Sequence, residues 1–326
     1  MTHYISRYFP FVDMSAATKL PVVDFDAFSI ASSTRPDANS DEAQQLANNV
    51  LQGFDTAGFI YLKNHGIPRN KFDSVVHAWN TFVALPTDVK SAHQLQPGGF
   101  NGWGSIEGER HSVHRRVGDL KEVFHVSAIH DPAFEWIWPA KSVPEFKPAV
   151  RSLYQDFHLL LKRVLSAVAI GLGLPPDIFD IPHLNIGTSK NMSEIKCNFY
   201  PKPVEAKPGQ IGCGEHFDAG SLTILYQDSD GLQVEKEDGT FIPVPFIDGT
   251  LVVNIGHLMQ RWTSDRLKAN VHRAVVPDNA RVSRNSVVFF GVPDVDHLIT
   301  CLDGSNKYPP ITAGEYYAYR LHELFK

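Results

Sequence analysis

The chain has 326 residues, and 30 Lys plus Arg against 36 Asp plus Glu leave a formal charge of −6. With 43% hydrophobic and 20% charged residues it can bury a substantial core, which excludes global disorder, and its mild acidity offers no electrostatic footprint for nucleic acid. Cys197, Cys213 and Cys301 form neither a CxxC pair nor a disulfide framework, and there is no secretory or lipidation signal and no bilayer-length apolar stretch; the expectation is a soluble, cytoplasmic protein without a membrane partner.

The first strand signal is Leu20–Phe25, followed by a Ser/Thr/Pro/Asn-rich loop over 29–40. Ser40 stands at an N-cap position, with Asp41 and Glu42 in the first turn, ahead of the helical face Ala43, Leu46, Ala47, Val50, Leu51 and Phe54. Gly58 closes that helix and Phe59–Leu62 reads as a buried strand. A second amphipathic helix starts near Arg69, carries Phe72, Val75, Val76, Trp79 and Val83 on one side, and is stopped by Pro86.

Residues 96–119 are rich in glycine and lack a period, so they are expected to form a long loop of the kind that covers a site. Within it, His114-Arg115-Arg116 reads as a solvated face. A long helix follows over about 148–172, with Val150, Leu153, Tyr154, Phe157, Leu160, Leu161, Val164, Leu165 and Val168 as its apolar stripe; Gly171, Gly173 and Pro175-Pro176 end it. From Met192 onward the texture is β: Leu222–Tyr226, Leu232–Glu235, Leu251–Ile255, Val271–Val276 and Ser286–Phe290, separated by Gly, Pro and Asp, as in a sandwich, barrel or jelly roll.

In Gly214-Glu-His216-Phe-Asp218, the histidine and the aspartate are two apart, so on a strand both side chains share a face. His272, in Asn270-Val-His-Arg, is the candidate third member. Two imidazoles and one carboxylate on one face form the triad that holds Fe(II) and leaves positions open. An HxD pattern is common, however, and His272 alone reads equally well as a core histidine. Context favours the metal: Arg284-Asn-Ser286 runs straight into the apolar strand Val287–Phe290, and Arg284 and Ser286 on one face offer a guanidinium fork and a hydroxyl to a carboxylate. Arg281-Val-Ser283 has the same spacing but lacks that direct continuation.

The ordered set Leu20-Pro-Val-Val-Asp24, Gly58-Phe-Ile-Tyr-Leu-Lys-Asn-His-Gly66, Asn198-Phe-Tyr-Pro201, His216-Phe-Asp218, Gly231-Leu-Gln-Val234, Val253-Asn-Ile-Gly256, Gln260-Arg-Trp262, His272-Arg273, Arg284-Asn-Ser286 and Lys307-Tyr-Pro-Pro310 resembles the iron(II)/2-oxoglutarate-dependent dioxygenases of the isopenicillin N synthase-like group. The resemblance runs from about Leu20 to Leu321. It implies an α+β fold: a double-stranded β-helix (jelly roll) core flanked by helices, with a helical N-terminal half. The implied division is an N-terminal region over 19–140, a supporting helix and connection over 141–190, the jelly-roll core over 191–300 and a C-terminal extension over 301–326.

The same resemblance implies His216, Asp218 and His272 as iron ligands, with no catalytic side chain beyond them. It implies Arg284 and Ser286 as the grip on the distal carboxylate of 2-oxoglutarate, with Asn198 and Tyr200 as further contacts. Lys196, Phe217, Phe290 and Val292 fall on substrate-pocket positions, which suggests an apolar or aromatic small molecule, with Lys196 meeting an anionic or phenolic group. The implied activity is O2-dependent hydroxylation, desaturation or oxidative rearrangement such as ring expansion, in secondary-metabolite biosynthesis, with release of succinate and CO2.

Two residues depart from the family pattern: Phe217 replaces the usual Thr between the ligands, and His257 replaces a usual acidic residue and is expected to pack rather than ligate. Three rival readings are weighed at this point, the third a zinc hydrolase, for which no Glu or His is obviously placed as a dedicated base. An oxidase of the isopenicillin N synthase type shares the triad and the Arg-x-Ser pair without consuming 2-oxoglutarate, and a jelly-roll binding protein would keep the pocket without turnover.

Overall fold

Ser40 caps the first long helix from the position where the sequence predicts it, its Oγ accepting the Ala43 N–H at 3.2 Å. At the far end Gly58 adopts φ 64 and returns its N–H to the Phe54 carbonyl; a Cβ there would meet the Lys268 carbonyl oxygen at 2.6 Å, so the turn requires glycine. The computed structural model describes residues 20–96, 99–111, 117–202, 206–276 and 283–324, without the side chains of 56, 57 and 321–324. The extreme N-terminus, the His114-Arg115-Arg116 cluster and the alternative Arg281 lie outside the described residues.

In chain order the elements are β1 (Val22–Asp24), α1 (Asp41–Ala57), β2 (Phe59–Lys63), α2 (Arg69–Val83), α3 (Thr87–Ser91), β3 (Asn101–Gly104), β4 (Glu122–Val126), α4 (Phe146–Gly171), β5 (Glu194–Tyr200), β6 (Cys213–His216) and β7 (Leu222–Gln227). Then come β8 (Leu232–Glu235), β9 (Phe241–Val244), β10 (Thr250–Ile255), α5 (His257–Trp262), β11 (His272–Ala274), β12 (Arg284–Gly291), β13 (Leu298–Ile299), β14 (Ile311–Thr312) and α6 (Ala313–Leu324). One sheet runs β1-β2-β10-β7-β12-β5-β4-β3 and a second runs β6-β11-β8-β9. Together they form the jelly-roll core, with the helical first half against the larger sheet.

Alternation along β12 separates the two faces of that sheet. Phe289 turns outward, where Tyr154 and Phe157 of α4 meet its ring at 5.1 and 5.7 Å, while Phe72 of α2 stacks on Tyr226 of β7 at 4.4 Å. Each fully buried aromatic of this kind contributes roughly 1.5–3 kcal/mol. Arg284, Ser286, Val288 and Phe290 consequently turn inward, toward the second sheet. The helices are thus a support that fixes which side chains reach the interior.

One expectation is corrected. The segment over 96–119 contains a strand, β3, paired antiparallel with β4. Asn-Gly-Trp-Gly carries no local strand signal; tertiary contacts impose it. The Asn101 amide donates to Ser127 Oγ and accepts the Ser127 N–H, each at 2.9 Å, and Gly102 at φ 121 approaches the His93 carbonyl so closely that a Cβ would stand 2.7 Å from it.

Candidate active site

The inner face of the core is set by register. On β5 and β12, Tyr200 pairs with Arg284, Asn198 with Ser286, Lys196 with Val288 and Glu194 with Phe290. In the smaller sheet His272 of β11 lies directly opposite His216 of β6, and their rings are 4.4 Å apart. Asp218 joins them by a different route from the one its spacing suggests, because β6 ends at His216 and Asp218 lies beyond the strand. Its position is fixed by side-chain bonds: Oδ2 accepts from Thr223 Oγ1 at 2.6 Å and from Asn254 Nδ2 at 2.7 Å.

That leaves Asp218 Oδ1 directed at the histidines, 3.8 Å from His216 Nε2 and 3.6 Å from His272 Nε2. Each imidazole donates its Nδ1–H to a backbone carbonyl, His216 to Gly214 at 2.8 Å and His272 to Asn270 at 3.2 Å, which turns both Nε2 lone pairs toward the same point. Burial lowers the pKa of both, that of His272 to about 4, so both rings are neutral at pH 7 and able to ligate. Burial works against the Asp218 carboxylate, yet His272, His216 and the bonds from Asn254 and Thr223 hold its pKa below the ordinary value. The arrangement can hold one metal ion through two nitrogens and one oxygen.

Beside the triad, Arg284 is buried with its guanidinium over the Tyr200 ring at 4.7 Å. Its Nε donates to the Ser229 carbonyl and Nη2 to Gln227 Oε1, while Nη1 is buried without a partner among the described residues. Ser286 Oγ accepts from Asn198 Nδ2 at 3.2 Å. An orphaned guanidinium N–H with a hydroxyl one rung away is the geometry that a ligand carboxylate would satisfy.

Of the four substrate-pocket candidates, Lys196 and Phe290 line this cleft, together with Phe59, Leu225, Leu232 and Val288. Lys196 is not an open cation, because Glu109 meets it at 2.9 Å. Phe217 and Val292 are not among the lining residues: Phe217 stacks on His257, and Val292 is buried, its carbonyl accepting from Asn191 and Ser193. His257 packs as expected and donates its backbone N–H to the Asp218 carbonyl at 2.8 Å. Sequence reasoning missed Thr223, Asn254, Gln227, Glu109, Lys121, His125 and Glu194. Glu194 carried a signal, since it shares the β5 face with Lys196 and Asn198; Glu109, in a segment without periodicity, carried none. Tyr317 of α6 was also missed; burial raises its pKa, and the nearby Glu194 and Asp218 carboxylates add to the shift.

Residues 20–145 match the family described as the non-haem dioxygenase in morphine synthesis N-terminal, and residues 193–293 match the 2OG-Fe(II) oxygenase superfamily. The 2-oxoglutarate-dependent dioxygenase htyE of Aspergillus rugulosus is 31% identical over 310 residues, covering 87% of this chain and 90% of that protein. The 2-oxoglutarate-dependent dioxygenase gloF of Glarea lozoyensis is 31% identical over 298 residues, covering 82% and 89%. Among solved structures, a full-length Neurospora crassa protein in complex with alpha-KG superposes with a TM-score of 0.80 at 30% identity, over 95% of this chain and 98% of that one. The complex of the same Neurospora crassa protein with alpha-KG and thymine gives 0.81 at 28% identity, over 96% and 99%.

Proposed function

Because the chain belongs to the 2OG-Fe(II) oxygenase superfamily, we propose that the cleft between its two sheets is the active centre, with His216, Asp218 and His272 as the iron ligands. The enzyme is an Fe(II)- and 2-oxoglutarate-dependent dioxygenase, an oxidoreductase that oxidises a small organic molecule in secondary metabolism, consumes O2 and releases succinate and CO2. Iron and its co-substrate supply the oxygen activation that no side chain of the protein can perform.

The chain's own residues hold and orient. The Gly214 and Asn270 carbonyls fix the tautomers of the two imidazoles, and Thr223 and Asn254 reserve one carboxylate oxygen of Asp218 for the metal. Arg284 and Ser286 receive the distal carboxylate of 2-oxoglutarate, with Tyr200 beneath the guanidinium and Asn198 alongside. Arg284 Nη1, buried without a partner among the described residues, supports the use of 2-oxoglutarate and carries this reading.

The substrate half of the cleft belongs to Lys196, Phe290, Val288, Leu225 and Phe59. Its apolar side chains support a small, largely apolar or aromatic molecule with a polar handle. Three cysteines without disulfides support a reducing, cytoplasmic setting, and among the described residues no helix is long and apolar enough to cross a membrane. Anaerobic titration of the protein with Fe(II) and 2-oxoglutarate tests the assignment: a metal-to-ligand charge-transfer band is expected, followed by succinate release on adding O2. Absence of both sinks it.

A further inference from the structure

The cleft wall next to Asn198 carries charge that the proposed chemistry does not use. Glu109, from the segment between β3 and β4, takes three cations at once. Its Oε1 is 2.9 Å from Lys196 Nζ and 2.8 Å from His125 Nε2, and its Oε2 is 2.9 Å from Lys121 Nζ. Lys121 also donates to Cys213 Sγ at 3.3 Å and stands 3.7 Å from Asp119. His125 gives its other ring nitrogen to Glu194 at 2.9 Å; burial and Lys196 work against its charged form, yet the carboxylate on each nitrogen holds its pKa above the ordinary value.

The cations belong to the sheet, Lys196 on β5 and His125 on β4, with Lys121 immediately before β4. The carboxylate they share comes from outside it. Lys121 and Lys196 line the same cleft as Arg284 and the three proposed iron ligands. Two ammonium groups in a cleft that takes up one dicarboxylate and produces another would form a second anion site if left uncompensated.

We propose that Glu109 is a specificity-determining residue: its carboxylate fills the place that Lys121, Lys196 and His125 would otherwise offer to a ligand carboxylate, so that the substrate half of the cleft rejects anions, including a second 2-oxoglutarate and the product succinate, and admits an uncharged substrate. The proposal rests on the reading that Arg284 holds the co-substrate. It revises the expectation of an anionic partner for Lys196, because the charge of Lys196 is already met.

Calorimetric titration of the full chain, loaded anaerobically with Fe(II), with 2-oxoglutarate and then succinate tests it. The wild type should bind a single equivalent of 2-oxoglutarate. Glu109→Gln should bind a second dianion and tighten succinate binding by about tenfold or more, as expected for new charge-assisted bonds. Adding Lys196→Met should remove that gain, and Glu109→Asp should keep the exclusion. Arg284→Ala should abolish the first site in either background and leave the second site of E109Q intact, so failure of the functional reading is distinct from failure of this one. Glu109→Ala leaves a carboxylate-sized hole, so added acetate should raise its Tm, or restore folding if the variant is unfolded, with no such effect on the wild type. Two dianions bound by the wild type, unchanged succinate binding in a folded E109Q, or no response of E109A to acetate would each overturn the proposal.

Discussion

The ring of Phe217 lies 4.8 Å from that of His257 at an interplanar angle of 24°, so the two departures from the family pattern are each other's packing partners. The stack continues to Tyr316 of α6, parallel to His257 within 7° at 5.5 Å, and the Tyr316 hydroxyl bonds His257 Nδ1. Arg320 of the same helix places its guanidinium 4.2 Å from the Phe217 ring centroid. An aromatic between the proposed ligands and a histidine at the start of α5 together attach the C-terminal helix to the 216–218 segment.

A double-mutant cycle measures that attachment. Phe217→Ala and His257→Ala should each destabilise the protein in urea unfolding, with a coupling of about 0.5–1.5 kcal/mol between them. Additive effects would mean that the stack contributes nothing beyond burial.

The bonds to Asp218 Oδ2 should govern metal affinity without touching the metal. Thr223→Val and Asn254→Ala each remove one of the two bonds that occupy the second carboxylate oxygen. Anaerobic Fe(II) titration is expected to show affinity weakened roughly 10–100-fold, with the far-ultraviolet circular dichroism unchanged.

Arg284 is held from two sides, by Ser229 and Gln227, which leaves its Nη1 amino group to give. A lysine ammonium cannot reproduce the planar fork over Tyr200. Arg284→Lys should therefore weaken 2-oxoglutarate binding by about tenfold or more and leave Fe(II) affinity near the wild-type value, both read by calorimetry.

His65 makes stability depend on pH. It is buried, its Nδ1 accepts the Ile67 N–H at 3.1 Å, and burial lowers its pKa from 6.5 to about 4. A lowered pKa means that below 6.5 the unfolded chain binds the proton and the native chain does not. Stability is thus complete above 6.5 and declines as pH falls toward 4, by about 2 kcal/mol near pH 5 from this residue. Urea midpoints at pH 7.5 and 5 should differ less in His65→Asn, whose side chain can accept the same N–H without titrating.

The legibility of the fold follows from where each element gets its instructions. α1, α2 and α4 declare themselves by an apolar stripe, and α4 begins two residues before Pro148, which lies in its first turn as a proline can. The Arg284–Ser286 pair was legible because spacing of two on a strand fixes a shared face, and the same rule singled out His216 and Asp218 although β6 ends at His216. Asp218 met the triad for another reason, through Thr223 and Asn254, residues that are ordinary β-strand positions in the sequence. β3 and Glu109 were illegible because both are placed by long-range pairing: Asn101 with Ser127, and Glu109 with cations a dozen or more residues away. Phe217 and Val292 were expected at the pocket from pattern alone; the Phe217 ring lies under Arg320 of α6, and the Val292 carbonyl accepts from Asn191 and Ser193.

The segment from His216 to Asp218 has two clients, the proposed iron site on one side and the aromatic stack of α6 on the other. Thermodynamic reciprocity then ties them: whatever factor iron loading contributes to the docking of α6, docking of α6 contributes to iron affinity. Protection of the α6 amides against hydrogen exchange is therefore expected to rise with metal occupancy, read at the far end of the chain from the N-terminal half that supports the core.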